Sequence, residues 1–458
     1  MTTNTRLPRL FAVASLLIGC SFALVNPPLK VPDEGHHFAR AYQVSQLQLL
    51  PQRQNQITGG FVPIGIESLR RRFETISYVG VSASEIVASR DITFDPRKTE
   101  FVNFVNTAEY PPVPYVPQAV GITVGRIFFR SALGVMYCGR LANLICYVAL
   151  VYWALRLMPS PPIQFTLTLI ALLPMSLHQA ASLSADSMTI ATAIFFVTMI
   201  WRLANPEISI TRCDWILLLL STIIFSLAKL AYAPFSFLSL LIPAGRFNGP
   251  RNRAVFIAVF VGMNFALVFG WVHLLGGIPR FDPSGQANPQ KQMLYLLHAP
   301  WKIFPLFINT LKCYGAEIAT GVIGTFGGNE YMLPEPIVVI EYAMLLVSVF
   351  ATARNVNPMA AVTAIFVGTI VLCIISLLLY LDCMAVGVTC ISIIQGRYFI
   401  PLLPLLIFLQ GKNPRPTKWS TAMLTSAILI SCFAVPFLVG QLYPAFPGSH
   451  FYFRFSGR

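Results

Sequence analysis

The sequence predicts an all-α polytopic membrane protein with about 11 transmembrane helices and a large first extracytoplasmic loop. Three observations carry that reading. The 458-residue chain is 55% hydrophobic without counting glycine, only 11% charged, and has a mean hydropathy of +0.67. Soluble domains carry roughly 25% charged residues, and a bilayer makes each charged side chain costly. The apolar residues also fall in runs close to the ~20 residues that cross ~30 Å of hydrocarbon.

Taken in order, the expected spans are 9–25, 136–157, 162–181, 188–204, 214–230, 233–245, 254–275, 337–353, 358–381, 398–410 and 419–440, of which 233–245 and 398–410 are short. Arg6 and Arg9 precede the first run, which sets the N-terminus in the cytoplasm. That orientation puts Arg156, Arg202 and Arg212, Arg246, Arg251 and Arg253, Arg354, and finally Lys412, Arg415 and Lys418 on the inside, as the positive-inside rule requires. The first run, Leu10 to Val25, is longer than a signal-peptide apolar region and leads into "NPPLKVP" without a small-residue cleavage site, so it is expected to stay as an anchor.

Two long segments, 26–135 and 276–336, are expected outside, and with no repeat or low-complexity tract the chain reads as one domain over 1–458. The first segment holds half of the acidic residues. Its "IESLRRRFETI" suits a surface helix with Leu69, Phe73 and Ile76 on one side and arginines flanking it. Tyr110 to Pro117 is too proline-rich for a helix, and 118–130 reads as an interfacial or partly buried one. The formal charge of +14 is spread between apolar runs; it fits topology signals and contact with anionic membrane lipids, and no compact basic domain supports nucleic-acid binding. The nine cysteines are scattered, with Cys383 and Cys390 the candidate disulfide near an outer loop.

Chemistry concentrates in three places. "VPDEGHHFAR" follows the first span directly. Pro32 suits a helix start, Asp33 and Glu34 suit its first turn, and Asp33, His36, His37 and Arg40 then fall at i, i+3, i+4 and i+7 on one face. A capped, solvated helix start explains the same residues without function. "SLSADSM" carries Asp186, the only acid between Glu109 and Glu207, which reads as a helix cap or as a second carboxylate facing Asp33. His178, just upstream, reads as a span-end histidine. "IQGRYFIPLLP" puts Arg397 at an outer span end, against the charge rule; a phosphate-gripping guanidinium and a snorkelling arginine both fit. Lys229 in "LAKLAYAPF" and Arg140 in "CGRLANL" share that ambiguity. No P-loop, dinucleotide, zinc-protease or nucleophile-elbow motif occurs, so nothing supports ATP-driven transport or nucleotide-sugar use.

An acid pair followed by His-Phe just after the first span resembles the first outer loop of the GT-C glycosyltransferases, which include protein O-mannosyltransferases and lipid A aminoarabinose transferases. More specifically, "NPPLKVPDEGHHFARAYQ", "YPPVPYVPQAVG", "GRLANLICYVALVYWALRLMP", "ALLPMSLHQAASLSADS" and "QGRYFIPLLPL" resemble the bacterial membrane proteins of domain of unknown function 2142. "GTFGGNEYMLP" departs from the Gly-Trp-Leu-Asp-like segment of relatives, so no role passes to Asn329 or Glu330.

The resemblance implies a transferase in the bacterial cytoplasmic (inner) membrane. It would move a sugar from a polyprenyl-phosphate donor to a cell-envelope glycan or lipid acceptor on the outer face, with inversion. It makes Asp33 the expected general base with Glu34 beside it, and Asp186 the second acidic site. Arg397, then Lys229 and Arg40, are the candidates to neutralise the departing lipid phosphate. His36 and His37 could orient Asp33 or join it in holding a divalent cation such as Mg²⁺ or Mn²⁺. The alternative is a transporter or flippase for envelope polysaccharide precursors, which would need ionisable residues inside several spans. A transferase predicts one site joining Asp33, Asp186 and Arg397; an inert scaffold predicts that Asp33 and Arg397 lie far apart.

Overall fold

The computed structural model describes residues 6–442 except 56, 75–80, 277–281, 283–284, 328–329, 412–413 and 415–419. Ile76, Asn329, Lys412, Arg415 and Lys418 therefore lie outside the described residues. Among the described residues six helices are long and apolar enough to cross a membrane: Arg6–Val25, Ala132–Leu157, Asp186–Ala204, Pro250–Leu274, Pro358–Cys383 and Ser420–Gln441. A seventh crossing is added if the bent pair Pro161–Leu172 and Pro174–Ala180 counts as one span.

The other expected spans are shorter helical elements. Arg212–Ala228 and Glu335–Phe350 have 17 and 16 residues. Leu230–Leu241 and Gly396–Leu406 are 3₁₀ segments, the latter running on into Ile407–Gln410. Pro234, Pro401 and Pro404 lie inside them; each lacks an N–H and cannot continue an α ladder, so the tighter helix takes over.

The bent pair shows how a proline break is made tolerable in an apolar interior. The chain turns by 64° at Leu173–Pro174, where the regular i→i−4 ladder is interrupted. The carbonyls of Ile170, Ala171 and Leu172 instead accept from the hydroxyls of Ser176 (3.0 Å), Tyr147 (2.8 Å) and Ser431 (2.5 Å). Three hydroxyls from three parts of the chain thus meet the need that the break creates.

Asp186–Ala204 is the central helix, 89% buried over its apolar window. Thr189, Thr192 and Thr198 sit in this interior because their hydroxyls return to the carbonyls four residues back. Pro250–Leu274 is peripheral, with 17% of its window buried and Val255, Val259 and Phe269 exposed.

The segment after the first span adds a few short strands to the otherwise helical membrane fold. Gln52–Gln54, Ile57–Pro63 and Thr99–Asn103 form an antiparallel sheet in that order, and Thr325–Phe326 pairs with Tyr331–Met332. The sheet packs with helices Glu34–Ser45 and Ile64–Glu74 around Phe38, Tyr42, Val62, Leu69, Phe73 and Phe104. Leu69 and Phe73 thus face inward as their spacing predicts.

Val113–Tyr115 is a 3₁₀ turn that leads into helix Val116–Phe128. At 13 residues that helix spans ~20 Å, short of a bilayer crossing. It lies tightly along Ala132–Leu157: a Cβ on Gly121 would come within 2.4 Å of the Cys138 carbonyl oxygen. Segment 276–336 contains a helix the sequence reading did not single out, Ile303–Ile323, with Lys312 and Glu317 exposed along it.

Candidate functional site

The site is assembled from four helix ends. Asp33 caps helix Glu34–Ser45 from a left-handed backbone conformation (φ 61°) and makes no side-chain cap bond of its own. Its carboxylate is 43% exposed and accepts from Asn106 Nδ2 at 2.9 Å. Asp186 opens the central helix. Its Oδ1 accepts from Lys229 Nζ at 3.1 Å and its Oδ2 from Arg397 Nε at 3.0 Å. Arg397 Nη2 reaches Asp33 Oδ2 at 3.8 Å. Asp33, Asp186, Lys229 and Arg397 therefore form one chain of alternating charge.

Aromatic rings wall the cluster. Lys229 Nζ lies 4.1 Å from the Tyr398 ring centre and 5.8 Å from that of Tyr110, and the Arg397 guanidinium lies 5.4 Å from Tyr398. These are cation–π distances. Arg397 is only 5% exposed, and its Nη1 is buried without a hydrogen-bond partner. A guanidinium that holds two carboxylates and keeps a donor group unsatisfied is equipped to receive another anion.

Backbone packing fixes Arg397. A Cβ on Gly396 would come within 2.1 Å of the Ile318 carbonyl oxygen, so only glycine lets this turn press against helix Ile303–Ile323. On the other side the Tyr232 hydroxyl donates to the Tyr398 carbonyl at 2.5 Å.

Glu34 does not join the cluster, although it follows Asp33 directly. It is fully buried and accepts from Arg140 at both oxygens, at 2.8 Å (Nε) and 2.6 Å (Nη2). Its Oε1 also accepts from the Leu183 backbone N–H at 3.1 Å. Arg140 meanwhile donates to the carbonyls of Ala23, Asn26 and Pro27. This pair ties the end of the first span to the loop that delivers Asp186. Asn143 holds the same loop at the Ser182 and Ser184 carbonyls, and Gln118 holds it at Ser184. The Glu34 carboxylate is thereby held with Arg140 and apart from that of Asp33, although the sequence reading set the two acids together.

Arg40 is likewise placed elsewhere. It is fully enclosed, and its Nη groups donate to the Gln43 side chain and to the carbonyls of Leu49 (2.8 Å) and Tyr110 (3.1 Å). The expected face therefore splits: Arg40 braces the loop at Tyr110 from within, while the histidines flank Asp33.

His36 Nδ1 lies 2.9 Å from Asn106 Nδ2, the same amide that holds Asp33. Burial, then the nearby Arg70 charge, lowers the His36 pKa. His37 Nδ1 is 2.8 Å from the Tyr115 hydroxyl, and its ring stacks with Tyr110 at 6.4 Å. Burial lowers the His37 pKa to about 4, so the ring is neutral at pH 7. Burial also raises Tyr115 well above the ordinary phenol range, so the phenol keeps its proton at pH 7.

Among the described residues no group of three or more His, Cys, Asp or Glu side chains is placed to hold a metal ion. His178 is buried against Phe22 and Phe326, away from any ligand set. Tyr110, Tyr115, Tyr398 and Asn106 are site residues that sequence reasoning missed. The proline-rich "YPPVPY" was the available signal, since a rigid non-helical stretch can hold aromatic side chains against a neighbouring helix end.

Fold and site together define a helical membrane protein whose ionisable residues are gathered where several helix ends meet. The chain belongs to the family described as predicted membrane protein (DUF2142), which matches residues 16–406. Comparison with curated proteins and with solved structures gave no match.

Proposed function

We propose that this chain is an integral-membrane glycosyltransferase of the GT-C type. In this reading it lies in the bacterial cytoplasmic membrane with about eleven spans and a cytoplasmic N-terminus. It moves a sugar from a polyprenyl-phosphate donor to a glycan or lipid acceptor on the extracytoplasmic face. The observation that carries the reading is the approach of an exposed carboxylate, Asp33, to a buried arginine with an unused donor, Arg397, at 3.8 Å.

Two cations, Lys229 and Arg397, meet two carboxylates, Asp33 and Asp186, so the resting cluster is formally neutral. As the acceptor oxygen attacks the anomeric carbon, its proton passes to Asp33 and the bond from that carbon to the phosphate oxygen breaks. Asp33 then carries no charge and the cluster becomes +1, just as the leaving phosphate gains a negative charge. Arg397 Nη1 is the donor that would meet it. The neutral His37 and the protonated Tyr115 support the pocket without adding charge.

The test is transfer of labelled sugar from a polyprenyl phosphate in membranes containing the full chain. Asp33→Asn is expected to abolish transfer while leaving the protein folded, and Arg397→Ala to reduce it at least a hundredfold. Full activity in either variant removes the role assigned to that residue.

One observation favours transport of envelope precursors as a second reading. Glu341, in helix Glu335–Phe350, is buried with both carboxylate oxygens lacking partners. Seven residues on, Ser348 begins a polar group with Thr166, Thr352 and Gln410. An acid inside the helical bundle suits a transport path. If Glu341→Gln stops precursor movement in proteoliposomes while Asp33→Asn does not, this second reading replaces the first.

A further inference from the structure

The nine cysteines carry no disulfide in the structure, yet two of them are brought together from distant parts of the chain. Burial, then the neighbouring Cys313 thiol, raises the Cys390 pKa, which puts the two side chains beside each other. Backbone geometry supports the same juxtaposition independently: the Ile391 N–H donates to Thr310 Oγ1 at 3.0 Å, and Cys313 lies one helical turn beyond Thr310. Cys383, which the sequence offered as the partner of Cys390, is buried at the end of helix Pro358–Cys383. Cys313 is exposed and Cys390 partly so, which leaves the pair open to exchange chemistry.

We propose that Cys313 and Cys390 form a disulfide that pins the segment leading to Arg397 onto helix Ile303–Ile323. The proposal rests on the orientation given above, which puts both residues on the extracytoplasmic side, where disulfides persist. The bond forms by exchange with an oxidised dithiol protein of that compartment. One cysteine thiolate attacks the partner's disulfide to give a mixed disulfide, and the second displaces the partner. The partner leaves as a dithiol with two electrons and two protons, and one S–S bond is gained here as one is lost there.

The bond reinforces a contact already present. Gly396 presses on Ile318 and Gly321 of the same helix, so the arm that carries Arg397 is held at its end by packing and six residues earlier by the bridge. Reduction would leave the glycine contact as the main restraint on the position of Arg397.

The experiment uses spheroplasts containing the full chain with only Cys313 and Cys390 retained, the other seven cysteines being replaced by alanine. A membrane-impermeant maleimide–polyethylene glycol is added before and after an impermeant phosphine reductant. The expected result is no adduct before reduction and two adducts after it. Labelling before reduction overturns the disulfide while leaving the orientation intact. No labelling after reduction, with two adducts once detergent is added, overturns the orientation and the disulfide together. Because the multiple variant could misfold, unreduced wild-type protein is also digested and its peptides weighed. A linked pair containing Cys313 and Cys390 supports the inference, and free thiols at both positions or a Cys383–Cys390 link refutes it.

Discussion

Arg397 Nε donates to Asp186 Oδ2 at 3.0 Å, joining two side chains that lie 211 residues apart in the chain. Asp186 serves a second cation as well, Lys229 at 3.1 Å, so one carboxylate pairs with two bases. Asp186→Asn keeps the shape and removes the charge, leaving Lys229 and Arg397 facing each other with only Asp33 nearby. Loss of one partner from a buried pair costs about 3–5 kcal/mol. Slight exposure of Asp186 and Lys229 puts the expected loss at the lower end, ~3 kcal/mol. Thermal unfolding of the purified protein in detergent measures it; an unchanged midpoint would mean that the cations do not need this acid.

Glu34 and Arg140 form a pair whose side chains are fully buried. Glu34→Gln or Arg140→Met alone leaves the other group charged and enclosed, with an expected cost of ~3–5 kcal/mol each. The double variant is expected to cost less than the sum, with a coupling of roughly 2 kcal/mol. It should not return to wild type, because Arg140 also satisfies three carbonyls at the end of the first span. A double-mutant cycle in denaturant reads both quantities. Strict additivity would show that the two residues act independently.

These two pairs explain how far the sequence could be read. Apolar runs placed the helices because crossing length and hydropathy are local properties, and the ends of the expected spans fall close to those of helices such as Ala132–Leu157 and Pro358–Cys383. Asp33, Asp186, Lys229 and Arg397 were each legible as ionisable residues out of place, but their meeting was not, since it depends on how the bundle packs. Adjacency in sequence does not keep Glu34 with Asp33. Asp33 adopts a left-handed conformation just before the helix begins, so neighbouring side chains leave in different directions, one toward Arg397 and one toward Arg140. The small sheet was missed because "ITGGFVP" has glycines at central positions, where a strand usually shows alternating apolar side chains.

His37 makes stability depend on pH in the acid range. Its ordinary pKa of 6.5 is lowered to about 4 by burial, while Asp33 and Asp186 oppose the shift and Arg397 and His36 add to it. Between those values the unfolded chain binds a proton that the folded chain does not, so stability falls as pH drops from 6.5 toward 4. The full loss is about 3 kcal/mol. Unfolding midpoints measured at steps across that window should decline for wild type. His37→Gln, which cannot take up the proton, should show a shallower decline. Equal slopes in the two proteins would show that another group controls the acid limit.

Asp33 offers a way to separate folding from function. A non-glycine residue in the left-handed region carries a backbone cost of roughly 1 kcal/mol, less for Asp than for most residues. The side chain offsets little of it through capping, since it makes no cap bond, and its ion pair with Arg397 is long and open to solvent at the Asp33 end. Such pairs contribute at most ~1 kcal/mol. Asp33→Gly removes the strain along with the carboxylate, while glycine's larger unfolded-state entropy works against the gain. The expected change in unfolding free energy is therefore within ~1 kcal/mol of zero. If the carboxylate accepts the acceptor proton, the same variant should lose transfer altogether while keeping its unfolding midpoint. A variant that loses stability and activity in parallel would mark Asp33 as part of the scaffold. One that keeps both would leave the strained conformation without a purpose and move the search for the base to Asp186.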